Sequence, residues 1–156
     1  MITLTAAQLA FLADAAEQAF PAECCGLLVG TGMRNITVTR LIPASNLLSS
    51  ASTDRFELDP RIRFETERAL RGSSERIIGH WHSHPNGSAT PSATDLEQAW
   101  EPDLIWLILG VTLNAQGHPQ AVQTLAHRLD RELGRSRPIP LRLSKNSACM
   151  AKGFPT

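Results

Sequence analysis

His82 and His84, in the run His82-Ser83-His84-Pro85, are followed after seven residues by Ser92 and after two more by Asp95. Side chains two residues apart on an extended segment leave the same face, so both imidazoles can reach one metal ion. Asp95, at the start of the next element, can turn its carboxylate back to that ion. Two neutral imidazoles and one carboxylate make a zinc site with one coordination position left for water, the catalytic pattern rather than the closed structural one. Other divalent ions accept the same atoms, and zinc is the ion this set suits best. Hydrolysis also needs a carboxylate that takes a proton from water and returns it to the leaving amine, and a donor for the oxyanion. Glu23, at the mouth of the apolar stretch Cys25-Gly-Leu-Leu-Val-Gly30, is the candidate base, and the Ser92 hydroxyl is the candidate donor.

These residues need elements to hold them. Thr5-Ala-Ala-Gln8 resembles a capping box, and Leu9, Leu12, Ala13, Ala16 and Phe20 recur at helical spacing until Pro21. Cys25–Gly30 reads as a buried strand and Ile36–Ile42 as a second one, with a polar, serine-rich loop over 43–58. Asp59-Pro60 starts a helix that runs to Arg71 and stops at Gly72. Arg76–His82 is a strand leading into the histidine pair, and Ser92–Trp100 is a short helix ended by Pro102. Asp103–Leu109 is almost continuously apolar, as in a strand buried on both faces, and two shorter strands follow near 120–127 and 138–143. Pro85 and Pro91 fix φ at both ends of the loop between the histidines and Ser92.

A chain of 156 residues fits one domain with a real core; residues 1–143 are read as that domain and 144–156 as a loose tail. Fifteen Lys and Arg balance fifteen Asp and Glu, which gives no support to non-specific nucleic-acid binding. No apolar run approaches the roughly 20 residues that span a bilayer, and no positive cluster precedes an apolar block at the N-terminus. Cys24, Cys25 and Cys149 are an odd total with one adjacent pair, so reduced thiols in a cytoplasmic protein are expected. Edge strands and the first helix leave a homodimer possible.

Glu23, then His-Ser-His, seven residues, Ser92, two residues and Asp95 together resemble the JAMM (MPN-plus) metalloprotease family. The flanking Glu23-Cys-Cys-Gly-Leu-Leu-Val-Gly30 and Ile77-Ile-Gly-His-Trp-His-Ser-His-Pro85 are similar to its small bacterial members. The resemblance covers the first helix to about residue 143. It implies an α/β (α+β) fold of the JAB1/MPN, cytidine-deaminase-like type: a curved, mostly antiparallel sheet flanked by helices. It also implies a zinc-dependent isopeptidase that cuts after the C-terminal diglycine of a ubiquitin-like or sulfur-carrier protein. Carried over, His82, His84 and Asp95 bind zinc, Glu23 is the general acid and base, and Ser92 stabilises the intermediate. A deaminase is disfavoured, because neither Pro-Cys-x-x-Cys nor His-x-Glu occurs. Two rivals stand beside this function: a non-catalytic scaffold of the same family, and a zinc peptidase acting on short cell-wall or phage-tail peptides.

Plainer readings compete at several positions. Ser92-Ala-Thr-Asp95 is also a helix cap, and one carboxylate does not easily both cap and ligate; ligation is preferred on the full spacing. His80 alternates with His82 and His84, yet a packed or hydrogen-bonded histidine is expected there. Cys25 reads as a small buried thiol and Cys24 as its neighbour on the opposite face. His118 and His127 lack ligand spacing and read as surface or core residues. Trp81 and Trp106 are expected in the core, with Trp100 undecided. Arg128, Arg131, Arg135, Arg137 and Arg142 read as a solvated face, with an acidic-partner dock as the rival.

Overall fold

The computed structural model describes residues 1–49 and 55–144. Its strands are β1 (Ile2–Thr5), β2 (Cys25–Thr31), β3 (Ile36–Ala44), β4 (Arg76–His84), β5 (Ile105–Leu113), β6 (Pro119–Asp130), β7 (Arg135–Ile139) and β8 (Leu141–Ser144). Its helices are α1 (Ala6–Ala19), α2 (Pro60–Ala69) and α3 (Ala93–Gln98). The eight strands form one sheet in the order β7-β6-β5-β4-β2-β3-β1-β8. Four of its seven pairings are antiparallel; β1 with β3, β1 with β8 and β4 with β5 are parallel. The mixed sheet flanked by helices is the α+β architecture that the family resemblance implied.

The sheet curls until its two ends meet. β7 and β8 occupy opposite ends of the strand order, yet Pro140 alone separates them in sequence. The Ile2 N–H donates to the Pro140 carbonyl at 2.9 Å, so the first strand is stitched to the point of crossover. Pro138 and Pro140 offer no N–H to a further neighbour, which suits residues at a sheet margin. The sequence pattern joined this region into one strand near 138–143 and missed β1, because four residues are too few to show a period.

One face of the sheet carries α1. Thr5 and Gln8 form the expected capping box, with the Gln8 N–H 3.1 Å from Thr5 Oγ1 and Gln8 Oε1 accepting the Thr5 N–H at 2.9 Å. Leu12 and Ala16 of α1 pack against Leu28, Ile78, Trp81, Ile105, Leu107 and Leu109 from the central strands. Each fully buried side chain of this size contributes about 1.5–3 kcal/mol. Trp81 needs room, which Gly26 supplies: any Cβ at Gly26 would run into the indole.

The other face carries α2, α3 and the smaller cluster of Cys25, Phe56, Ala99, Trp106 and Leu129. A bulge makes the two faces possible on β4. Leu28 pairs with Gly79 and Val29 with Ile77, so Ile78 is the extra residue. Ile78 and Trp81 therefore both join the α1 face, leaving His80, His82 and His84 on the other.

α2 has the predicted Asp59 cap and Pro60 at its first turn. α3 is shorter than the sequence suggests: it ends at Gln98, and Trp100 projects 70% exposed. Ser144, assigned to the tail on sequence, closes β8. The rest of that tail, 145–156, lies outside the described residues, as do Ser50, Ser52 and Thr53 of the expected serine-rich loop. Among the described residues no helix is long and apolar enough to cross a membrane.

Candidate metal centre

β2 and β4 lie side by side in the middle of the sheet, and the site sits where β4 ends and β2 begins. Cys25 pairs with His82. The pairing runs on beyond the strand: the Ser83 N–H donates to the Cys24 carbonyl at 3.1 Å, and the Cys24 N–H to Ser83 Oγ at 3.0 Å. One step further, the antiparallel register brings Glu23 level with His84. Glu23 is 5% exposed, and its charge acts on the His84 imidazole. Asn46 holds this point from outside, donating Nδ2–H to the Glu23 carbonyl at 2.9 Å. The other amide hydrogen of Asn46 goes to Arg55 O, and its Oδ1 accepts from the N–H groups of Leu48 and Glu57. All four hydrogen-bonding capacities of that amide are in use.

His82, His84 and Asp95 converge as the spacing predicts and form a group able to hold a metal ion. His82 Nε2 lies 3.0 Å from His84 Nε2, Asp95 Oδ1 3.3 Å from His82 Nε2, and Asp95 Oδ2 3.2 Å from His84 Nε2. The two contacts to Asp95 use its two oxygens; taking one donor from each residue, the three lie within 4.8 Å of one another, against the ~3.3 Å between tetrahedral ligands ~2.05 Å from one ion. The protonation of His84 fits as well. Its Nδ1 lies 3.0 Å from the Ser88 carbonyl, which only accepts; Nδ1 therefore carries a hydrogen, and Nε2 is the ring nitrogen that faces the cluster. His82 is held by packing instead, stacked on Phe56 at 4.3 Å between ring centroids.

Asp95 both caps and faces the histidines, so the two sequence readings were not alternatives. Its Oδ2 accepts the Ser92 N–H at 2.7 Å and the Ser92 hydroxyl at 2.8 Å, while the Asp95 N–H returns to Ser92 Oγ at 3.1 Å. The capping box at the start of α3 is the device that turns the carboxylate toward β4. Ser92 is exposed, and its hydroxyl hydrogen points at Asp95 in this arrangement.

Electrostatics follow the burial. Desolvation would raise the Asp95 carboxyl, but the hydrogen bonds from His82 and His84 outweigh it and hold it well below the usual carboxylate range. Burial pushes His82 down. For His84 burial works the same way, but the Asp95 carboxylate, Glu23 and the Ser88 carbonyl prevail and raise it. His80 stays outside the cluster, edge-on to Trp106 at 4.1 Å, and desolvation lowers it to about 3. Cys25 is buried and its thiol is pushed up to about 12, chiefly by desolvation, which makes it a poor nucleophile. Cys24 packs with the α1 face, as its alternation with Cys25 predicts, and both are free thiols.

Trp81 and Trp106 are core residues at 1% and 4% exposure. Trp100 lines a cavity of about 290 Å³ next to the cluster, together with Phe56, Leu58, His80, Leu104 and Trp106. Arg128, Arg135 and Arg137 stand together along β6 and β7, with Arg128 opposite Arg137 in the ladder and 3.5 Å from Asp103, while Arg131 stacks on Trp100 with its guanidinium carbon 3.5 Å from the ring. His118 is exposed and His127 is buried. Asn46 and Phe56 were missed on sequence, since both stand in a loop without a period and act through contacts that only the fold creates.

A family model described as prokaryotic homologs of the JAB domain matches residues 5–125. The chain is 38% identical over 88 residues to a desampylase of Haloferax volcanii, which is 56% of this chain and 62% of that protein. It is 31% identical over 94 residues to the CysO-cysteine peptidase of Mycobacterium tuberculosis, 60% of this chain and 62% of that protein. The match thus spans less than two thirds of either relative. Among solved structures, a Desulfitobacterium hafniense protein matches at TM-score 0.74 and 31% identity, covering 94% of both chains. A Salinibacter ruber protein matches at TM-score 0.65 and 27% identity, covering 97% of both.

Proposed function

Because the chain belongs to the prokaryotic homologues of the JAB domain, we propose that it is a zinc-dependent isopeptidase of the cytoplasm. Its substrate in this reading is a ubiquitin-like or sulfur-carrier protein, cut after a C-terminal diglycine. One observation carries the chemistry: His82, His84 and Asp95, all buried, each bring one donor atom within 4.8 Å of the other two, and the Ser88 carbonyl holds His84 with its Nε2 toward them. The names of the two relatives, desampylase and CysO-cysteine peptidase, support the substrate class.

His82, His84 and Asp95 would hold the ion. When bound, it supplies a Lewis acid for the scissile carbonyl and makes water acidic enough to lose a proton near neutral pH. The chain does the remaining work. Glu23, buried and level with His84 by strand register, takes the proton of the attacking water and delivers it to the departing amine. Ser92 gives its hydroxyl hydrogen to the oxyanion, releasing Asp95 Oδ2 as it does so. Asn46 and Phe56 keep Glu23 and His82 in place while protons move.

The test is intact-mass analysis of a diglycine carrier extended at its C-terminus, incubated with zinc-loaded protein. The expected product is the carrier ending at its diglycine. Glu23→Ala should keep zinc and leave the carrier uncut. An uncut carrier with the wild-type protein would remove the substrate assignment, and wild-type turnover by Glu23→Ala would remove the base.

A further inference from the structure

The loop from Pro85 to Pro91 joins His84 to Ser92 and Asp95, so its course sets how far the histidines and the carboxylate stand apart. Within it Ala89 is fully buried, and neither its N–H nor its C=O can turn to water. Both are taken by side chains of one strand. The Ala89 N–H donates to Gln123 Oε1 at 3.3 Å, and the Ala89 carbonyl lies 3.0 Å from His127 Nε2. The preceding carbonyl, of Ser88, is the one that fixes His84. Two successive carbonyls of this loop therefore meet two imidazoles, one from β4 and one from β6.

We infer that His127 is a positioning residue for the metal centre, holding the Pro85–Pro91 loop to β6, with Gln123 assisting. This rests on the reading of His82, His84 and Asp95 as the ligands. A carbonyl only accepts, so His127 carries its hydrogen on Nε2, and Nδ1 is left buried with no hydrogen-bond partner among the described residues. His127 lies across the ladder from Trp106, two strands away from His82 and His84. It thus ties the loop to a part of the sheet that the ligands do not occupy. Without this tie the loop would keep its ends on β4 and α3, its close approach to Gly110 of β5 and the weaker bond to Gln123, and Asp95 would lose the firmest fix on its distance from the histidine pair. Its buried place makes His127 look like an ordinary core residue, but what it holds is the spacer of the ligand set.

The experiment titrates metal-stripped protein with zinc against a chromophoric chelator and records the visible spectrum of the cobalt form. His127→Leu keeps apolar bulk and removes the donor; His127→Gln returns an N–H at nearly the same reach. Leu129→Ala, two residues along β6 and also buried, is the control for loss of stability alone. Removal of such an outer partner typically costs 10–100-fold in metal affinity. His127→Leu should show that loss with an altered cobalt spectrum, and His127→Gln should recover most of it. Leu129→Ala should melt earlier yet bind zinc as the wild type does. Unchanged affinity in His127→Leu, no recovery in His127→Gln, or an equal loss in Leu129→Ala would overturn the inference. If the wild-type protein bound neither zinc nor cobalt, the ligand assignment itself would fall.

Discussion

On β4, Ile78 and Trp81 meet α1, and His80, His82 and His84 look the other way. The α1 face is filled by Leu, Ile, Val and Ala around Trp81; the aliphatic side chains are satisfied by packing alone, and the buried indole N–H meets no hydrogen-bond partner among the described residues. The opposite face buries Glu23, His82, His84, Asp95 and His127, which need partners of a particular kind. Burying polar groups is costly unless hydrogen bonds or a ligand meet them. The same strands thus hold an aliphatic face and a polar one that carries the proposed centre, the second leaning on the first.

The largest effect that would separate the faces is on the aliphatic side. Leu107 is 0% exposed in the α1 cluster. Leu107→Ala should cost about 2–5 kcal/mol in denaturant unfolding and take metal binding down with the fold. Asp95→Asn should do the reverse. Zinc at 100 times its dissociation constant should stabilise the wild type by about 2.7 kcal/mol. Asp95→Asn should gain nothing from zinc while still unfolding in one cooperative step. A zinc-dependent melting shift in Asp95→Asn would place the ion elsewhere.

The next effect depends on pH. His80 stays neutral in the folded protein down to about pH 3, whereas in the unfolded chain it takes up a proton near pH 6.5. The unfolded state therefore binds more protons between these values, and stability falls as pH falls from 6.5. The loss from this one group by pH 4.5 is just under about 3 kcal/mol. His80→Phe, a ring suited to the company of Phe56 and Trp106, should flatten that part of the profile. Parallel profiles for the two proteins would show that His80 is not held neutral. The smallest effect concerns Arg63 at the rim of the neighbouring cavity, which pairs with Glu67 and Glu101. These groups are substantially exposed, so Arg63→Ala should stay within about 1 kcal/mol of wild type by thermal melting.

What the sequence disclosed was local. His82 and His84 share a face because they are two residues apart, and Ser92 with Asp95 forms a cap because they are three apart. The caps at Thr5 and Asp59 were legible for the same reason. What stayed hidden depends on meetings between distant segments. The bulge at Ile78 leaves no mark in a run of apolar residues, yet it decides which residues reach each face. Asn46 reaches Glu23, and His127 reaches Ala89, only after β2, β3 and β6 have found their places. At Asp95 the cap and the approach to the histidines coexist, because a carboxylate has two oxygens: Oδ2 takes the Ser92 N–H while Oδ1 faces His82.

The crossover at Pro140 has a consequence for how the molecule is made. During synthesis from the N-terminus, every proposed ligand and the proposed base, Glu23 to Asp95, leaves the ribosome before β7 and β8 exist. β1 then waits with one flank open until Leu141–Ser144 arrives to pair with Ile2–Thr5. Contacts between such distant stretches close slowly, because chain entropy opposes them until the end. The proposed centre can therefore assemble on the nascent chain while the seam between β1 and β8 is still open, and β8 then locks residues that are already in hand.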